Sequence, residues 1–108
     1  MPITVAEIFQ RLPDAFQPEA AGDTEAVIAF RLSGAEAGDW TVTIAHGTAT
    51  VEQGGHADPT LTFSADSEDF VALITGELEP MSAFMRGKLQ LDGSIGLALK
   101  FAEMFKVD

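Results

Sequence analysis

The side chains able to act as acids, bases or ligands are few and scattered. His46 and His56 both fall in glycine-containing turns, and together they form no recognised metal-ligand spacing. The chain has no cysteine, which removes disulfides and thiolate chemistry. The serines lack the strand-turn-helix elbow that exposes a nucleophile, and the glycines form no phosphate cradle. His46 reaches Asp58 only if a sheet brings the two together. Asp66, Glu68 and Asp69 suit the start of a helix, whose dipole favours negative charge. Asp92 follows Leu91 in an apolar stretch. Acid–base work there requires a pocket that raises its pKa. No metal and no cofactor is expected from this set.

What the chain has in quantity is large, adaptable apolar side chains. It carries eight phenylalanines and four methionines in 108 residues. Phe70, Met81, Phe84, Met85, Phe101, Met104 and Phe105 all follow position 69. Such residues can line a pliable cavity, and they also serve as ordinary core. The stretch from Phe84 to Phe105 is expected to position them. Leu89 and Leu91 alternate on one face of a strand over Lys88–Asp92, with Gly87 and Gly93 at its ends. Ser94 can cap the helix that follows. On that helix Gly96, Lys100 and Glu103 make a narrow polar stripe and the remainder is apolar. The apolar arc is roughly 220°, against the ~100° that suffices for a helix lying on one sheet. A second cover is therefore expected: more protein, a partner subunit or an apolar ligand.

The length bounds one domain, 1–108, with room for a modest core. A formal charge of −11 argues against nucleic acid and against tight docking on anionic lipid. Four of the six basic residues, Arg86, Lys88, Lys100 and Lys106, follow position 85, beside only Asp92, Glu103 and Asp108. A locally positive rim suits a carboxylate or phosphate headgroup. No run approaches the ~20 apolar residues of a membrane span, so stable membrane insertion is not expected. The ends carry no recognisable targeting signal, and the expected address is the cytoplasm.

In chain order, Thr4 and Glu7 have capping-box spacing, and Ile3 and Ile8 form a hydrophobic staple across it. Val5, Ile8, Phe9 and Leu12 stripe the helix, and Pro13 is expected to end it. Gln17 to Asp23 reads as a connection. Thr24–Leu32, Trp40–Ile44, Thr48–Gln53 and a stretch holding Leu61 and Phe63 alternate as strands, with a hairpin turn at His46-Gly47. Short turns between them predict an antiparallel meander. Asp66 opens a helix closed by Gly76, and Pro80 opens a short helix with Met81, Phe84 and Met85. The expected class is α+β.

Two segments carry a family resemblance. Ala57-Asp58-Pro59-Thr60-Leu61-Thr62-Phe63-Ser64, then Glu68-Asp69-Phe70 and Leu73-Ile74-Thr75-Gly76, resembles the central motif of the sterol carrier protein type 2 domain. Ala83-Phe84-Met85-Arg86-Gly87-Lys88-Leu89-Gln90-Leu91-Asp92-Gly93 is similar to that family's Ala-Phe-x-x-Gly-Lys-Leu-x-x-x-Gly signature. The Trp40 strand and the His46-Gly47 turn fall where the family has them. The resemblance implies a five-stranded, mainly antiparallel sheet covered by helices, with an apolar tunnel between sheet and helices. It implies binding of fatty acids, acyl-CoA, sterols or other lipids without catalysis. The implied lining is Trp40, Ile44, Phe70, Ile74, Phe84, Met85, Leu89, Leu91, Leu97, Phe101, Met104 and Phe105. Arg86 and Lys88 are implied at the headgroup rim. The eukaryotic carriers are basic and end in a peroxisomal tail. This acidic chain looks like a free-standing bacterial-type member.

Three readings follow. A carrier predicts a continuous apolar cavity. An accessory or scaffolding module of a lipid or quinone pathway predicts a filled core, with an exposed apolar patch or a homodimer through the C-terminal helix. A small lipid enzyme predicts a carboxylate such as Asp92 inside the pocket.

Overall fold

Thr4 starts the first helix in a computed structural model that describes residues 4–55, 58–94, 96, 97, 100 and 101. The Thr4 hydroxyl accepts from the Glu7 amide at 3.2 Å and donates to the Glu7 carboxylate at 3.1 Å. The expected staple involves Ile3, which lies outside the described residues. Helix α1 spans Val5–Ala15 and buries Val5, Ile8, Phe9 and Leu12. Pro13 does not close it. A proline this near the end forfeits little more than the hydrogen bond to the Phe9 carbonyl, and it sits on the exposed face. The expected connection after it holds a one-turn helix, α2 (Pro18–Ala21), with proline at the position that tolerates its missing amide.

Five strands follow the expected alternation: β1 (Ala26–Ser33), β2 (Gly38–Ala45), β3 (Thr48–Gln53), β4 (Leu61–Asp66) and, later, β5 (Leu89–Gly93). His46 and Gly47, both left-handed at φ 52° and 73°, make the tight turn between β2 and β3. The order across the sheet is β3-β2-β1-β4-β5. Here the meander expectation is corrected. β4 does not continue beside β3; it crosses over and pairs parallel with β1, in register Ile28 with Leu61 and Phe30 with Phe63. The Thr60 amide donates to the Val27 carbonyl at 2.8 Å, and the Val27 amide donates to the Thr60 hydroxyl at 3.2 Å. The crossover sets the large apolar residues of β4 against the most buried strand, where they gain more than at the edge. The other strand pairs are antiparallel.

Asp66 caps helix α3 (Ser67–Thr75) by accepting from the Glu68 amide at 2.9 Å, and Gly76 ends it in the left-handed conformation, φ 85°. The same corner is tied to α1. The Glu36 amide donates to the buried Ser67 hydroxyl at 3.2 Å, and the Glu36 carboxylate accepts from the Val5 amide at 3.0 Å. Asp66→Ala is expected to lower stability by about 1 kcal/mol, read by urea denaturation, because it strips the cap from α3. Helix α4 (Pro80–Met85) leads into β5. Ser94 then caps the last helix, accepting from the Leu97 amide at 3.2 Å. Its described residues, Gly96, Leu97, Lys100 and Phe101, are helical, with Leu97 buried and Gly96 and Lys100 exposed. Among the described residues no helix is long and apolar enough to cross a membrane.

Candidate apolar binding site

Alternation and register together build one apolar surface on the inner side of the sheet. Trp40, Phe30, Phe63 and Leu91 lie in one row across four strands. Val51, Val42, Ile28 and Leu61 make the next row. Leu32, Ala65 and Leu89 make another. The helices bring Phe9, Phe70 and Phe101 down onto this face. Phe9 stacks on Trp40 at 4.6 Å between ring centroids and on Phe70 at 5.3 Å. Phe30 meets Phe9 at 5.3 Å, Phe63 at 5.1 Å, Phe70 at 5.7 Å and Phe101 at 5.5 Å. Such pairs add to stability beyond the area they bury.

Burial is uneven across this surface. Phe9, Phe30, Phe70, Ile28, Val42, Ile44 and Leu61 are fully buried. Trp40, Val51, Phe63, Leu91, Ile74 and Phe101 are only half-buried while still packed on the same cluster. The face is thus less closed at Trp40, Phe63 and Leu91 than at Val42, Ile28 and Leu61.

The expected lining residues separate accordingly. Ile44, Phe70, Leu89 and Leu97 are buried, and Trp40, Ile74, Leu91 and Phe101 pack half-buried against the cluster. Phe84 and Met85 stand on the surface instead, 43% and 80% exposed. Met104 and Phe105 lie outside the described residues. Arg86 and Lys88 are both exposed. Lys88 borders an open polar groove of about 600 Å³ that also has Arg31, Asp39, Asp66, Asp69 and Gln90 on its walls. Arg31 was not anticipated beside Lys88, because only the β1–β4–β5 pairing brings them to the same end of the sheet. Phe30 and Phe63 read as inward-facing strand residues. Their place at the centre of the ring cluster depends on the parallel register.

Among the described residues no group with catalytic geometry emerges. Asp92 is exposed on the outer face of β5, opposite Thr62, not among apolar neighbours, which corrects the expectation attached to it. His46 and Asp58 are both exposed, and His56 lies outside the described residues. Among the described residues no three His, Asp or Glu side chains gather as a metal site.

Known proteins share this fold. Hydroxysteroid dehydrogenase-like protein 2 of Danio rerio is 36% identical over 104 residues, which is 93% of this chain but only 24% of that protein. The chain therefore spans about a quarter of such relatives. The palmitated sterol carrier-like protein SCP2L2 of Aedes aegypti is 28% identical with a TM-score of 0.75, over 94% of this chain and 93% of that one. The sec-alkylsulfatase Pisa1 from Pseudomonas sp. shares the fold, with a TM-score of 0.86 at 16% identity over 98% of this chain and 17% of that one. The model of the SCP-2 sterol transfer family matches residues 5–106, and the chain belongs to that family.

Proposed function

We propose that this domain binds and carries apolar ligands, acyl chains foremost, between the inner face of the sheet and the helices, without catalysis and in the cytoplasm. At the coarser level, membership in a sterol transfer family implies binding and transfer of lipid. The observation that carries the finer reading is the likeness to a palmitated relative over 94% of the chain. The half-burial of Phe63, Leu91, Ile74 and Phe101 supports a ligand lying against them. The last helix, through Leu97 and Phe101, is the proposed second cover. Transfer of the chain from water supplies roughly 0.8 kcal/mol per buried methylene, and soft walls keep the site unselective. Lys88 and Arg86 are proposed to meet an anionic headgroup, of a fatty acid or an acyl-CoA.

Native mass spectrometry with added palmitate tests this reading. One palmitate per chain is the expected result. An apo mass with no uptake would overturn it in favour of an accessory module with a filled core. That second reading has one observation behind it, the complete burial of Phe9, Phe30 and Phe70 against one another.

Substitutions in the last helix probe the same site. Leu97→Asp and Phe101→Asp are expected to weaken palmitate uptake at least about tenfold, each by setting a charge against the apolar chain. Lys100→Asp, at an exposed position whose ammonium donates to the Thr24 hydroxyl at 3.0 Å, should change uptake little. Equal losses at the three positions, after correction for stability, would remove this helix from the site.

A further inference from the structure

The side chains that β1, β4 and β5 turn toward the helices are hydrocarbon throughout. Polar atoms enter the same rows only at the far edge, in half-buried Trp40 on β2 and exposed Gln53 on β3. Those strands lie two and three places from β4, about 10 Å and 14 Å at ordinary strand spacing. The indole nitrogen lies beside Gly38, at the start of β2. Phe63, Leu91, Ile74 and Phe101, the half-buried residues at the proposed site, carry no polar side-chain atom at all.

The polar groups nearby are already engaged. Among the described residues two polar side chains are buried, Thr41 and Ser67. Thr41 alternates to the outer face, where its hydroxyl donates to the Gly54 carbonyl at 2.8 Å. Ser67 accepts from the Glu36 amide at 3.2 Å, at the opposite end of α3 from Ile74. No buried side-chain nitrogen or oxygen among the described residues lacks a partner. Around Ile74 the carbonyls of the last turn of α3 are taken as well. Val71 accepts from the Thr75 hydroxyl at 2.9 Å, Ala72 from the Leu78 amide at 3.0 Å and Leu73 from the Gly76 amide at 3.4 Å. The backbone of β4 is paired on both sides. The unpaired groups of β5, the end strand, point along the plane of the sheet and not at its apolar face.

A hydroxyl brought from water onto this wall therefore loses its hydration and gains no partner. Such a loss is worth about tenfold to a hundredfold in affinity. A carboxylate there is penalised further, because burial costs a charge more than it costs a hydroxyl. A polar group held at the mouth keeps its water and loses nothing.

On the carrier reading above, we propose that the site selects amphiphiles whose polarity lies at one end only. A methyl-terminated chain enters tail first against Phe63, Leu91, Ile74 and Phe101. Its headgroup, and any hydroxyl next to the headgroup, stays at the mouth. Soft walls leave the shape of the chain free, so the position of the polar group is what the site discriminates. Chains with a polar group at both ends are excluded.

Positional isomers test this without altering the protein. α-Hydroxypalmitate and ω-hydroxypalmitate have the same composition and differ in which end carries the hydroxyl. Each competes with tritiated palmitate for the full chain in equilibrium dialysis. α-Hydroxypalmitate should compete within about threefold of palmitate, and ω-hydroxypalmitate about tenfold to a hundredfold more weakly. Hexadecanedioate, charged at both ends, should be at least as weak as the ω-isomer. Leu91→Thr and Ile74→Thr each set a hydroxyl on the wall, and at least one should narrow the gap between palmitate and the ω-isomer. Circular dichroism establishes that both variants are folded. Palmitate that binds while the two isomers compete alike leaves the carrier reading standing and overturns this one. So does the reverse order of the isomers, which would set the polar end deepest. A gap unchanged in both folded variants overturns it too, because the wall is then not its source. A chain that takes up no palmitate removes the carrier reading and this inference with it.

Discussion

Phe30→Ala is expected to lower the unfolding free energy by about 3–5 kcal/mol, the range for removing a fully buried ring. The Phe30 ring touches Phe9, Phe63, Phe70 and Phe101, which arrive from α1, β4, α3 and the last helix. Its removal leaves a cavity that none of them can fill alone, since each is held by its own element. Against a typical total of about 5–15 kcal/mol, such a loss takes about a fifth or more of the stability. The melting temperature should fall by roughly 15–30 °C for a domain of this size. Guanidinium and thermal denaturation both read this. Phe30→Leu should cost clearly less, because it keeps most of the apolar contact. A loss under about 1 kcal/mol for the alanine variant would show that the ring cluster is not the centre of the core.

Gly93→Ala should be nearly as severe, for a different reason. Gly93 has φ 120°, which an L side chain rarely adopts. A Cβ there would sit 2.4 Å from the Thr60 carbonyl oxygen and 3.1 Å from the Leu61 Cα, both backbone atoms. Neither can rotate away, so β5 must pull back from β4 where Leu61 pairs with Gly93. The expected cost is about 3 kcal/mol or more, from strain together with lost pairing. Amide hydrogen exchange locates it: protection should fall in Leu89–Gly93 and around Leu61 before it falls in β2 and β3. Loss spread evenly over the sheet would mean that the clash is relieved by global adjustment.

The elements were legible in the sequence because their signals are local. Thr4 with Glu7, Asp66 with its acidic first turn, and the alternation through Ile28, Phe30 and Leu32 each act within a few residues. Strand order was not legible, because alternation says which side chains face inward and nothing about which strand lies alongside. The connection after Gln53 suits a turn to the next strand as well as a crossover. Only the gain from setting Leu61 and Phe63 beside Ile28 and Phe30 decides between them, and that gain is tertiary. The site divides in the same way. Phe70, Ile44, Leu89 and Leu97 are buried as their periodicity suggests. Met85 carries the same apolar signal and points into solvent. A helix of six residues is too short for periodicity to say which side meets the sheet. The pairing of Arg31 with Lys88 on one groove required the sheet order itself.

The parallel pairing of β1 with β4 also sets the pace at which the chain reaches its native state. The β2–β3 hairpin closes on a two-residue turn, and such events take about 1–10 μs. Joining β4 to β1 means bringing Val27 and Thr60 together, 33 residues apart, before the reward of that pairing is felt. The slow event is therefore expected to be the joining of β4, with α3 and β5, to β1. Until it happens, the inner edge of β1 and one side of the Phe30 ring face water. Substitutions that loosen the hairpin should change the folding rate little if it forms early and reversibly, whereas those at Leu61 or Phe63 should act on the rate-limiting encounter.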